Sequence, residues 1–286
     1  MNKQEALQWE ATWARPAALA AFFAAVLLIA QIVLLQTVID DRPGTEAIPD
    51  FLLSVDENPA MLLGSRIAQA VAALLVAGIF YYLFRALQTR EAGVPSWFVY
   101  LIFAGPALYA IGIVIGAIGQ LDVASDFANG APIRGEAGED RADRLLEDNA
   151  SAAVFGLNFA GQVATAFLFV MLPLRARRVG LLSPFMGILG VVTGALLVLQ
   201  LVPVVPVIIQ AFWLGALGTI FLDNWPGGRG PAWESGEAEP WPTPARRGAQ
   251  QADGDGPGES LLDPSERPEP EPVPDRPSSR KRRRNR

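Results

Sequence analysis

The stretch Arg175-Ala176-Arg177-Arg178-Val179-Gly180 sets three arginines between two apolar runs, residues 152–174 and 181–201. Each run is long enough to cross a bilayer, because a hydrocarbon core about 30 Å thick takes roughly 20 apolar residues in helical form. Arginines gathered at the end of such a run are kept on the cytoplasmic side, so the stretch predicts an inside turn between two spans, with the other loops alternating around it. Four further apolar runs lie at 16–38, 67–84, 97–119 and 206–222. The last is the shortest, about 17 residues, near the lower limit for a span. The expected fold class is all-α: a polytopic transmembrane helical bundle of about six spans, residues 16–222, followed by a disordered C-terminal tail.

Composition agrees. Half of the residues are hydrophobic (51%) and only 18% are charged, with a mean hydropathy of +0.28, which belongs to the membrane class. The chain has neither Cys nor His, which excludes disulfides, thiolate metal sites and cysteine nucleophiles, the usual haem and zinc ligands and the commonest general base. No catalytic residue, cofactor or metal ligand is assigned, and the chain reads as non-enzymatic.

Residues 1–15 form a juxtamembrane segment in which Trp9 and Trp13, four apart, share one helical face suited to the headgroup zone. The run after Pro16 is longer than the apolar core of a cleavable signal and is expected to stay in the mature protein. Residues 48–63 read as one or two short surface helices. Asp140, Arg144 and Asp148 at i,i+4 spacing predict a helix that runs on into the fourth span. Pro106 predicts a kink in the third span, and the pairs Gly112/Gly116, Gly190/Gly194 and Gly215/Gly218 mark close-packing faces. From Asp223 to Arg286 the chain turns to Pro, Gly, Glu, Ser and Arg, with Arg280-Lys281-Arg282-Arg283-Arg284 near its end, the composition of a disordered tail.

An inside amino terminus puts Lys3, Arg15, Arg85, Arg90, Arg175, Arg177 and Arg178 in short cytoplasmic segments and the acid-rich loops 40–66 and 120–151 outside. Arg85, Arg90, Arg175, Arg177 and Arg178 are the topology determinants. The expected location is the cell membrane, multi-pass, with the N-terminus and the tail cytoplasmic. The basic tail end suits anionic lipid rather than specific nucleic acid.

No Asp, Glu, Lys or Arg lies well inside any run, which counts against a proton-coupled pump. What remains is amides and hydroxyls. Asn158, Gln162 and Thr165 fall at i, i+4 and i+7 on the fourth span, and Gln31, Gln69, Gln200 and Gln210 on other spans can face them. Such a stripe serves either as interhelical hydrogen bonding, worth about 0.6 to 2 kcal/mol per contact, or as a polar path or pocket for a neutral or zwitterionic solute.

The pattern through residues 58–87, Leu62-Leu63-Gly64-Ser65-Arg66-Ile67-Ala68 followed by a span closing in Tyr81-Tyr82-Leu83-Phe84-Arg85-Ala86-Leu87, resembles bacterial multi-pass membrane proteins grouped as a family of unknown function. The resemblance implies an integral membrane protein with outer loops after the first and third spans and lends no functional residues. The expected role is a membrane component that binds lipid, or a protein partner through its tail, and that can self-associate. A small transporter or channel using the amide stripe is the alternative.

Overall fold

The computed structural model describes residues 3–40, 47–130, 135–199, 204–226 and 228–241. Among the described residues there are nine helices and no strand: α1 Lys3–Asp40, α2 Ala47–Glu57, α3 Pro59–Gln88, α4 Phe98–Ala128, α5 Glu136–Asn149, α6 Ala152–Arg178, α7 Pro184–Leu199, α8 Val204–Phe221 and α9 Pro231–Ser235. Five of them, α1, α3, α4, α6 and α8, are long and apolar enough to cross a membrane, and α7 is a shorter apolar helix. The chain is an all-α bundle with the architecture of a multi-pass membrane protein.

Local chemistry sets several of the helix ends. Proline opens α3, α7 and α9 at a position where its missing N–H costs nothing. Ser151 and Ser183 accept hydrogen bonds from the N–H groups of Val154 and Met186 at the starts of α6 and α7. The Arg175–Gly180 stretch itself ends α6 in a Schellman turn: Gly180 N–H donates to Arg177 and Leu181 N–H to Ala176, with Gly180 at φ 86°. Only glycine fits there, since a Cβ would sit against the Glu239 carbonyl. Asp223 takes the same left-handed place after α8, at φ 61°.

Three expectations change. The shortest of the six apolar helices is α7, 16 residues and about 24 Å long, because the Gly180 turn takes Leu181 and Leu182 out of the expected span; α8, expected to be the shortest, reaches 18 residues. The helix over the second acidic loop does not run into the fourth span, because Ala150 is extended and Ser151 starts a new helix. Pro59–Leu63, expected as a surface helix, is the first turn of α3, which runs unbroken through the second span.

The six apolar helices close into a ring in the order α1, α3, α4, α6, α7, α8, with α8 back against α1 and α3 touching α6 across the middle. Glycines set the spacing. Gly190 and Gly194 of α7 lie against Pro173 and the Ala166 carbonyl of α6, and Gly218 of α8 against Phe22; Gly116 and Gly215 have open space where a side chain would be. At the end of the ring that carries Arg85, Arg90 and Arg175, the core is aromatic and aliphatic: Phe80, Phe169 and Trp213 meet edge to face with centroids 4.8 to 6.1 Å apart. At the opposite, acidic end, α2 and α5 cover the tips of α1, α3 and α4 through Val38, Leu52, Val55, Leu62, Val123, Phe127 and Ala142. The outside of the ring stays apolar, with Leu19, Phe23, Val26, Tyr100, Phe155, Ile188 and Phe212 all exposed. A surface of that kind suits contact with lipid rather than water.

The Arg-rich end is capped by chain expected to belong to the disordered tail. Residues 223–226 and 228–241 fold back over it, and Trp233 is 3% exposed. Tyr82 is stacked between Trp9 and Trp233, each 5.7 Å away, and the Trp233 indole N–H donates to Leu181 O at 2.9 Å. Arg90 grips Glu10 with both terminal nitrogens, Nη2 to Oε2 at 2.9 Å, and donates from Nε to Ala232 O. This pair is buried on both sides and ties α1, the turn that ends α3, and α9 together. At the surface, the Lys3 ammonium 2.7 Å away holds the Glu237 carboxyl below its ordinary range. The ordered chain thus extends at least to Trp241, past the composition break at Asp223, because aromatic side chains at 225 and 233 find a place on the core. Residues 242–286 lie outside the described residues.

Candidate functional site

Toward the acidic end the six ring helices part and enclose a cavity of about 820 Å³. Its wall takes Gln31 from α1, Arg66 and Gln69 from α3, Tyr109 and Gln120 from α4, and Asn158 and Gln162 from α6, with Leu197 of α7 and Val207 of α8 closing the ring. The floor follows from the aromatic core: Phe169 lies two turns beyond Gln162 on α6, and Phe80 about 21 Å along α3 from Arg66.

The helices α4 and α6 shape the opening. They run antiparallel and touch where glycine lets the backbones meet: a Cβ on Gly105 would lie 3.0 Å from the Ala164 Cβ, one on Gly161 2.2 Å from Tyr109 N, and one on Gly112 2.7 Å from Asn158 Cα. Beyond Gly112 the contact ends. Gly116 and Gly119, on the same face of α4 as Gly112, have no neighbouring atom within 4 Å of an added Cβ. The two helices therefore splay toward the acidic end, and Ile115, Ile118 and Phe155, all exposed, stand on the rim of the gap.

Four of the polar groups on the wall form one chain. Arg66 donates to Gln69 Oε1 at 3.4 Å and to Gln120 Oε1 at 3.5 Å, and Gln69 Nε2 donates to the Tyr109 hydroxyl at 3.2 Å. Gln162, 4% exposed, donates to Leu197 O at 2.7 Å and so holds α6 to the end of α7. Among the described residues no carboxylate lies within ion-pair distance of Arg66. Asp122 lines the mouth and is exposed. The arrangement offers a cation, a phenol and several amides to a ligand, and no paired acid and base.

Of the stripe expected from sequence, Asn158 and Gln162 line the cavity together with Gln31. Thr165 is buried one turn deeper and donates to Gly161 O of its own helix. Gln210 is buried away from the lining, and Gln200 lies outside the described residues. The basic residues named for topology are all at the other end. Arg85 lies 5.5 Å over Trp9, Arg175 pairs with Glu91 at 3.0 Å, Arg177 packs beside Gly187 and Arg178 is exposed. Sequence reasoning missed Arg66 as a wall residue by leaving it in a loop. The signal was Asn58-Pro59, a helix start that puts Arg66 two turns into α3. Tyr109 was passed over as an ordinary span residue and Gln120 was placed in the loop after the third span, whereas both lie on α4 with Gly112.

No family model, no curated protein and no solved structure matches the chain.

Proposed function

We propose that this is a non-enzymatic membrane component whose working part is the cavity at the acidic end, where it holds a lipid-like ligand. The observation that carries the reading is the splay of α4 and α6 above Gly112, which opens a largely apolar cavity with a few polar groups on its wall sideways between two lipid-exposed helices. A volume of about 820 Å³ is in the range of sites for a single small ligand. The wall chemistry supports binding rather than catalysis, since it pairs no general acid with a general base. In the proposed orientation the Arg-rich end, with both the amino terminus and residues 223–241, faces the cytoplasm, by the density of arginine in its short connections. The cavity then faces outward.

The alternative, a carrier for a neutral or zwitterionic solute, draws on the same wall through Asn158 and Gln162. It requires a path past Phe80, Phe169 and Trp213, which fill the centre of the ring. The test is native mass spectrometry of the protein extracted with its own lipids. A retained lipid that is lost in Gly116→Trp, which projects an indole into the cavity, supports the binding reading. Solute flux in vesicles that stops in the same variant, with no lipid retained, favours the carrier.

A further inference from the structure

We infer that the cavity selects an amphiphile with an anionic carboxylate or phosphate head, bound at Arg66 and admitted from the bilayer through the gap between α4 and α6. The inference rests on the cavity's being a ligand site and adds the charge and the route of the ligand.

Arg66, half-buried two turns into α3, and Arg90, buried just past the end of that helix, make the contrast. Arg90 is fully committed: both terminal nitrogens grip Glu10, and the rest of the guanidinium is held by the carbonyls of Ala86 and Ala232. Arg66 has only two long contacts to neutral amide oxygens. A guanidinium carries five N–H donors in a planar fork that matches carboxylate and phosphate oxygens, so most of its capacity is unused. Tyr109 adds to it. Its oxygen accepts from Gln69, which leaves its own proton to donate toward the cavity. Asn158, on the facing helix, brings a side-chain amide to the same space.

The route follows from the surroundings. The acidic end carries Asp122 at the mouth and Glu136, Glu139, Asp140, Asp143, Glu147 and Asp148 on α5. This field opposes a small anion arriving from water. It does not oppose an amphiphile that slides in sideways, because the rim between α4 and α6 is Ile115, Ile118 and Phe155. An acyl chain passing that rim stays in apolar contact while its head reaches Arg66. The helical rise puts Arg66 about 28 Å from Arg85 along α3. That is close to the hydrocarbon thickness, so the head would sit at the depth where lipid heads already are.

The test uses the full chain in a neutral detergent and compares oleate, 1-oleoyl lysophosphatidate, neutral monoolein and inorganic phosphate. Binding of both anionic lipids about tenfold or more tighter than monoolein is expected. Arg66→Gln should abolish the preference, Arg66→Lys should keep part of it, and Gly116→Trp should remove binding altogether. Equal binding of oleate and monoolein by the unaltered protein would overturn the inference and leave the lipid-binding reading standing; binding of none would overturn both. A preference that persists in Arg66→Gln, or inorganic phosphate competing as well as lysophosphatidate, would also overturn it, the first by placing the charge effect elsewhere and the second by making the site one for soluble anions. Because the first comparison needs no variant, it holds even where Arg66→Gln does not fold.

Discussion

Replacing Gly161 by alanine tests the close approach of α4 and α6 on which the cavity depends. The added Cβ would lie 2.2 Å from Tyr109 N and 2.7 Å from Tyr109 Cα, all backbone atoms that no rotamer change can move. Carbon contacts settle at about 3.5 to 4.0 Å, so the two helices must separate by more than about 1 Å. Overpacking of this kind costs about 1 to 3 kcal/mol, partly offset by the roughly 1 kcal/mol that alanine gains over glycine in a helix. Gly116→Ala is the control. It lies on the same helix pair but has no atom within 4 Å of the new Cβ, so it keeps the propensity gain without the clash. The two variants should differ by about 1 to 3 kcal/mol, which for a chain of this size is a gap of roughly 2 to 12 °C in melting temperature. The assay is thermal unfolding of both full-length variants in one detergent, followed by near-ultraviolet circular dichroism. Equal melting temperatures, or a lower one for Gly116→Ala, would refute the assignment of touching and parted halves.

Two further outcomes concern the Arg-rich end. Arg90→Ala leaves the Glu10 carboxylate buried without its partner and should destabilise by about 3 to 5 kcal/mol, while Arg90→Met with Glu10→Leu should recover most of that, as read by the same melting assay. Truncation after Trp241 should leave the melting temperature unchanged, whereas truncation after Asn224 removes Trp233 from its place against Tyr82 and Leu181 and should cost about 3 to 5 kcal/mol.

The apolar runs and the Arg175–Gly180 turn were legible because span length and charge position are carried by the sequence alone. The amide stripe was half legible. Helical spacing places Asn158, Gln162 and Thr165 on one face, but which part of that face meets open space depends on how far α4 stands away, and Gly112 and Gly116 look identical until the packing is known. Arg66 was hidden by a boundary error of two turns at the start of α3. Trp233 was hidden for a different reason: the residues around it are those of an unfolded tail, and only the shelf made by Trp9, Tyr82 and Leu181, distant in sequence, gives its ring somewhere to go. Composition reports whether a segment can build its own core, not whether it can lend one side chain to another.

The most direct test of the splayed pair uses the absence of cysteine from the chain, which lets two engineered pairs report without background. Gly105→Cys with Ala164→Cys sits where the helices touch, with the Cβ atoms 3.0 Å apart before relaxation, so that a small separation brings them to the roughly 3.5 to 4.5 Å a disulfide needs. Gly116→Cys with Val154→Cys sits on the cavity wall, where no atom approaches within 4 Å of the Gly116 Cβ position. On mild oxidation in native membranes, the first pair should cross-link and the second should not. Rapid cross-linking of both pairs would mean that α4 and α6 stay closed along their length and would contradict the cavity.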